Sequence, residues 1–532
     1  MSPARTLRTL RHLRPSQIGF RLWYRARLPL FRRRWSPGEE TGAVLLAPPV
    51  SWPGDAAEGE RIRKGRIRLV GLEGGTGDWR AVDKPLLWRF TLHYFEWLPH
   101  LAVLGTTGAE TARGLIGDWL TRFERFDAVA WHPYPLSLRL FAWLAHAPVV
   151  EAGAGTDFVT AFRRSLHRQA RHLERVWERD VGGNHLIKNL KAELAAALCL
   201  PGHGGRLGPA LERLELEIAR QVLPDGCHYE RSPSYHLQVL TDFEELAALF
   251  IAAGRPVPGF LADAVARMKP VAAFFRMGSG LLAQFNDGTV DGARQAGKVP
   301  SALPDAGYWR LSAGEALAVV DCGPCCPDDL PAHAHADTLS FEFSLGSNPV
   351  VVNGGTFAYQ DPHWRNVFRG TPAHSTVAVD DGDSAEVYGA FRLGRRPHCF
   401  EAVGDGAGFE GAFDGWSRLG LIHRRGLTLT AAGLEGRDRL ERKRGRGGRI
   451  MTARFLLHPS VTARLTEGGV ALTLADGSGL DFTAEGGAVT LAPGLWSPRF
   501  HEKSETVCIR VDAPLDAGAG ISWRFTRRAE PG

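Results

Sequence analysis

The stretch Leu339-Ser340-Phe341-Glu342-Phe343-Ser344-Leu345 alternates apolar and polar residues with a period of two, the pattern of a β-strand with one face in a core. Val470, Leu472 and Leu474 repeat it just before the turn-forming Asp476-Gly477-Ser478-Gly479, and Val507, Ile509 and Val511 repeat it again. Such runs between Gly-rich turns predict an antiparallel β domain over residues 301–532. Before Gly278 the period is different. Phe158, Phe162, Leu166, Ala170, Leu173 and Trp177 recur at three and four, as do Leu207, Leu211, Leu214, Ile218 and Val222, which predicts successive amphipathic helices within residues 85–300. Residues 1–84 read as a basic arm followed by Pro/Gly-rich loop with a minor strand in RIRKGRIRLV (61–70). The expected fold class is therefore α+β multidomain, a helical domain followed by a C-terminal antiparallel β-sandwich.

A chain of 532 residues with 23% charged and 44% hydrophobic residues is long enough for more than one core. It carries 64 basic and 58 acidic residues, but ten arginines and no acid fall in residues 1–34, so the rest is net acidic. A basic balance confined to one end argues against a nucleic-acid-binding body. Leu7, Leu10 and Leu13 alternate with Arg5, Arg8, Arg11 and Arg14, which predicts a short amphipathic helix stopped by Pro15. That arm is expected to pack on its own protein or to contact a membrane surface or an anionic polymer. No apolar run approaches the roughly 20 residues of a membrane span, and arginines interrupt every apolar stretch where a secretory signal would need an h-region.

Three patterns mimic known sites. Cys322-Gly323-Pro324-Cys325 spells a redox CxxC, but Asp328 and Asp329 follow where a helix would be needed. Gly406, Gly408 and Gly411 satisfy GxGxxG, yet they lead into Ala412-Phe413-Asp414-Gly415, a β-turn context. The seven cysteines offer neither a disulfide framework nor the second thiol pair of a zinc site.

Four segments place polar groups where a core would not want them. They are Trp131-His132-Pro133-Tyr134-Pro135, then GGNHLIKNLKAEL (182–194), DGCHYERSPSYH (225–236), and HAHAD (333–337) opening the best strand. Asn, Tyr and His without a placed Ser or Cys nucleophile suit proton transfer better than acyl transfer.

HAHADTLSFEF (333–343), TPAHSTVAVDD (371–381), the 182–194 and 225–236 segments and the early LHYFEWL (92–98) together resemble the heparinase II/III family of polysaccharide lyases. The resemblance covers residues 85 to 520, with the motifs in the family's order. It implies an incomplete (α/α) toroid followed by a β-sandwich, and β-elimination of a uronic-acid-containing polysaccharide. Removing the C5 proton beside a uronate carboxylate adds charge to an anion, so that carboxylate must first be neutralised by donors. The resemblance gives Asn184 and His185 that role, Tyr235 either the acid role or both the acid and base roles, and His333 the role of histidine base. A cation near Tyr235 would lower its pKa and allow either role.

The resemblance also implies one structural divalent metal, zinc or calcium, at His335, Asn353 and His374. The amide at Asn353 replaces the family's carboxylate and weakens such a site; the alternative is a hydrogen-bonded His-Asn-His cluster. Trp131, Tyr134, Trp88 and His93 are candidates for a sugar-stacking floor, with core packing the alternative. Arg139 and Arg369 are candidates for steering an anionic polymer, and His236 and Glu230 for contacting it. Glu230, Asp225 and Asp287 keep open a glycoside hydrolase built on paired carboxylates, and a non-catalytic polysaccharide-binding protein is the third reading. The expected partner is an acidic polysaccharide and not a nucleic acid. Family resemblance implies the periplasm or cell envelope, whereas the N-terminus shows no signal peptide.

Overall fold

The computed structural model describes residues 8–9, 11–33, 39–445, 447–515 and 520–528. The chain divides into two compact units: residues 14–220 with 238–265 form a helical unit, and residues 1–13, 221–237 and 266–532 form a sheet-containing unit. The segment that carries Glu230 and Tyr235 thus belongs with the sheets.

In the helical unit the stripes read from the sequence fold as expected. Thr156–Leu173 buries Phe162, Leu166, Ala170 and Leu173, and Leu207–Gln221 buries Leu214 and Ile218. Pro133–Glu151 and Gly183–Cys199 are buried on nearly all sides, polar residues such as Arg139, Asn189 and Lys191 included. Aromatic rings fill the interior: Trp119 meets Trp143 edge-on at 5.3 Å, and Phe95 meets Trp143 at 5.2 Å.

At the N-terminus Arg8 and Thr9 are helical and residues 11–13 form a turn and bend. Pro15 then starts a further helix, Pro15–Arg33, because the first helical position needs no N–H. Leu7 and Leu10 of the expected short helix lie outside the described residues. RIRKGRIRLV is divided between the end of helix Ala56–Arg63 and the hairpin Arg66–Leu69 with Leu72–Gly75.

The sheet-containing unit stacks a nine-stranded sheet on an eight-stranded one, with antiparallel pairing in both. One core joins them, with Phe341 and Phe455 of the first against Trp523, Phe482 and Phe525 of the second. This is a β-sandwich. The strand Phe341–Leu345 departs from its pattern in one respect: all five residues are buried, the polar ones included. Its polar face is covered by loops whose backbone it caps. Glu342 Oε1 accepts from Gln284 N at 3.1 Å and Asn353 N at 3.0 Å, and Ser344 Oγ accepts from Gly278 N at 3.1 Å. Alternation here separates an apolar core from a polar interior, not from water.

The decoys resolve as β structure. Ala316–Asp321 is a strand that leads into a loop holding Cys322, Cys325 and Cys326, all buried and unbridged. Burial pushes the Cys326 thiol up to about 11. Gly408 and Gly411 lie within the strand Gly408–Phe413.

Candidate active site

In the sheet-containing unit one carboxylate organises the histidines. Asp287 is fully buried and receives Arg365 through Nη1 at 2.5 Å and Nη2 at 2.8 Å, His333 Nδ1 and His335 Nε2 at 2.9 Å each, and the Thr356 hydroxyl at 3.0 Å. Burial alone would raise its pKa, but the guanidinium and the two imidazoles outweigh that and hold it well below the usual carboxylate range. An ionised Asp287 can only accept. His333 must therefore carry its proton on Nδ1 and His335 on Nε2, which leaves a lone pair on His333 Nε2 and on His335 Nδ1.

The loop around Asp287 is tied down on both sides. Asn286 sits at φ +57, a left-handed conformation that Asn tolerates, and its side chain accepts from His335 N at 2.9 Å and donates to Arg231 O at 3.0 Å.

His333 Nε2 lies 3.5 Å from Glu230 Oε2, and its ring packs on Tyr235 with centroids 3.9 Å apart. The Tyr235 hydroxyl is 2.7 Å from that of Tyr359. The Tyr235 pKa lies well above 10, because the ring is buried and because Tyr359, Asp287 and Glu230 add negative potential. The expected cation that would lower it is not what surrounds this phenol. Tyr235 is held protonated, as an acid must be.

In the helical unit, Gly182 and Gly183 adopt φ +70 and +55, so the chain turns abruptly into the helix Gly183–Cys199 and sets Asn184 and His185 in its first turn. Asn184 is buried. His185 Nδ1 lies 2.9 Å from Glu178 Oε1, and its ring stacks on Tyr134 at 4.0 Å. Burial would raise the Glu178 pKa, but His185, Asn189 and His132 lower it overall, so Glu178 is ionised and fixes His185 as the Nδ1–H tautomer. The structure thus gathers Asn184, His185 and Tyr134 in one unit, and Tyr235, His333 and Glu230 in the other.

Other expected residues lie elsewhere. Trp131 is fully buried beside Trp119 and His172, so it cannot be a stacking floor, and Trp88 and His93 are fully buried as well. Arg139 is fully buried, donating to Gln169 Oε1 at 2.9 Å and Ala130 O at 2.8 Å, and is a packing residue. His236 is fully buried between Met268 O at 3.0 Å and His228 N at 3.2 Å and cannot reach a polymer. Arg369 donates to Ala334 O at 2.8 Å and braces the HAHAD segment. Asp225 receives Ala306 N at 2.8 Å as a loop tie. Asp287 is held ionised by Arg365, so it is not the acid of a hydrolase's carboxylate pair. Tyr359, Arg365 and the organising role of Asp287 carried no spacing signal beyond the Asn-Asp-Gly turn at 286–288.

The metal expectation changes in its third ligand. Asn353 spends its amide oxygen on Ser375 N at 3.1 Å. Asp337 stands in its place: His335, Asp337 and His374, all buried, offer ligand atoms within 4.8 Å of one another. His335 Nδ1 and Asp337 Oδ1 are buried with no hydrogen-bond partner among the described residues. Burial holds His374 neutral, with its pKa lowered to about 3. Two neutral imidazoles and a carboxylate fit a divalent ion such as zinc.

Fold and site together define a class: an (α/α) toroid with an antiparallel β-sandwich that carries a histidine–tyrosine pair. Family models for "Heparinase II/III N-terminus" and "Heparinase II/III-like, C-terminal" match residues 117–298 and 295–524. The chain belongs to the heparinase II/III family. It is similar to FtsZ-localized protein C of Caulobacter vibrioides, 29% identical over 89% of this chain and 88% of that protein. It is also similar to heparin-sulfate lyase of Pedobacter heparinus, 24% identical over 57% of this chain and 53% of that one. A crystal structure of heparinase III aligns over 96% of this chain and 92% of its own, with a TM-score of 0.72 and 16% identity. Among the described residues no helix is long and apolar enough to cross a membrane.

Proposed function

We propose that the protein is a polysaccharide lyase that cleaves a uronic-acid-containing polymer by β-elimination. The observation that carries this reading is the tautomer set by Asp287, which leaves the His333 Nε2 lone pair beside the protonated Tyr235 phenol. His333 Nε2 takes the C5 proton, the C4–C5 double bond forms as the C4–O bond breaks, and Tyr235 gives its proton to the departing glycosidic oxygen. Asn184 and His185 are assigned to the uronate carboxylate, where their N–H donors offset the charge that develops at C5. Tyr134, half-buried against His185, is assigned to a sugar face.

A divalent ion held by His335, Asp337 and His374 would supply structural charge neutralisation and brace the segment that carries His333. His335 is suited to it because Asp287 occupies its other nitrogen.

The test is product absorbance across heparan-like, alginate-like and bacterial exopolysaccharide substrates. An unsaturated uronate end is expected for at least one; cleavage without a double bond would make the protein a hydrolase. His333→Ala and Tyr235→Phe are each expected to lower turnover roughly 10²–10⁴-fold with folding intact. Full activity in either variant would refute its assignment.

A further inference from the structure

The helix Pro15–Arg33 has two faces with opposite purposes. Its inner face packs on the helical unit: Gln17 Nε2 donates to Asp180 O at 3.1 Å, Arg21 pairs with the Asp180 carboxylate at 3.2 Å, and Phe31 meets His172 edge-on at 5.2 Å. Burial pushes the Tyr24 phenol up, in keeping with its place on that face. The outer face is what a packed arm would not build. Ile18, Leu22, Ala26 and Leu30 follow one another at i,i+4 along it, with Trp23 beside them. Leu22 is 63% exposed, Leu30 47%, Ile18 42% and Trp23 37%. Arg25 and Arg27 flank this ridge in the open, the Arg27 guanidinium lying 4.4 Å over the Trp23 ring, and residues 1–34 hold no acid to offset them.

We infer that this outer face docks on an anionic lipid surface, with the apolar ridge entering the headgroup region and the arginines meeting lipid phosphates. An exposed apolar ridge flanked by arginines and an aromatic ring is the make-up of an interfacial helix. Charge complementarity selects the occupant. A second copy of this chain would bring the same arginines against these and be repelled, and a soluble polyanion would use the arginines but leave Leu22 and Leu30 without a partner. Docking would hold the helical unit at the surface through the Asp180 contacts, two residues before the glycine pair that leads into Asn184 and His185.

The experiment is co-sedimentation of the full chain with vesicles of phosphatidylglycerol mixed with phosphatidylcholine, and with phosphatidylcholine alone, heparin being added as a competitor in a third arm. Binding to the anionic vesicles and not to the neutral ones is expected. Leu22→Glu with Leu30→Glu should weaken it at least about tenfold, and Arg25→Gln with Arg27→Gln about fivefold per arginine. Both variants alter exposed side chains, so their melting curves and their activity on soluble polysaccharide should match the parent. These readouts separate failure of the docking inference from failure of the lyase assignment. A variant that melts early is replaced by Leu22→Ser alone. The inference is overturned by equal binding to neutral vesicles, by anionic binding that Leu22→Glu with Leu30→Glu leaves unchanged, or by retention on heparin with no vesicle binding.

Discussion

Two fully buried aspartates in the sheet-containing unit are built alike and put to different uses. Asp287 is shared by Arg365, His333 and His335; Asp438 is shared by Arg425 through Nε at 2.7 Å and Nη2 at 2.9 Å, His423 Nε2 at 2.8 Å and Trp523 Nε1 at 2.8 Å. Burial would raise both carboxyl pKa values, and in both the guanidinium and imidazole donors win and push them well below the usual range. What differs is the second imidazole nitrogen. His333 has an 11% exposed side chain, with Nε2 near Tyr235 and Glu230, whereas His423 is sealed in the sandwich and its Nδ1 has no partner among the described residues. Under the proposed mechanism, an aspartate–arginine–histidine cluster serves chemistry only where the far nitrogen has an outlet.

The largest effect expected from this contrast is in Asp287→Asn. The amide would present an N–H to His333 and favour the tautomer with its lone pair on Nδ1, facing away from Tyr235. Turnover should fall roughly 10³–10⁴-fold, measured as unsaturated product per folded molecule. If activity per folded molecule holds within tenfold, Asp287 does not set the tautomer. The matching change, Asp438→Asn, leaves Arg425 and its buried charge uncompensated, and should cost about 3–5 kcal/mol in denaturant unfolding with turnover per folded molecule unchanged. Arg425 also donates to Leu339 O at 2.6 Å and Ser375 O at 2.8 Å, so the loss would spread into the HAHAD and AHST segments. A turnover loss in Asp438→Asn rivalling that of Asp287→Asn would erase the distinction between the two clusters.

The contrast also marks how far the sequence could be read. The period change near Gly278 separates helix from strand because amphipathic faces must match the repeat of the backbone. The motifs single out His333, Tyr235 and Asn184 as candidates. Tyr359, Arg365 and the organising role of Asp287, which the sequence offers only as a hydrolase carboxylate, are not marked in this way, since the three meet through tertiary folding from stretches with no shared period. For Trp131 and Arg139 the sequence leaves sugar or polymer contact and core packing both open; the structure buries them, because an inner-layer helix is covered all round, and Arg139 donates to Ala130 O and Gln169 Oε1 with Trp119 4.2 Å from its guanidinium. The sequence does not mark Asp337 as a candidate ligand, because the family's metal carboxylate falls at position 353, and only the folded loop brings Asp337 near His335 and His374.

Glu342 sharpens the comparison from the other side, as a buried carboxylate held by backbone donors, with no cation paired to it among the described residues. Burial pushes its pKa up to about 7, and the N–H groups of Asn353 and Gln284 offset this only in part. The folded state therefore keeps a proton that the unfolded chain releases near pH 4.3. Its contribution to stability is fully present below about pH 4.3 and is lost as pH rises to about 7, the reverse of Asp287 and Asp438, whose contributions are lost as pH falls below about 4. Glu342→Gln keeps an amide oxygen for both N–H groups but cannot ionise. The variant should gain up to about 3 kcal/mol over the parent above about pH 7 and little near pH 4, read by urea unfolding across that range. Parallel pH profiles in parent and variant would mean that Glu342 is ionised at neutral pH, and that a guanidinium is not what separates a depressed buried carboxylate from a raised one in this unit.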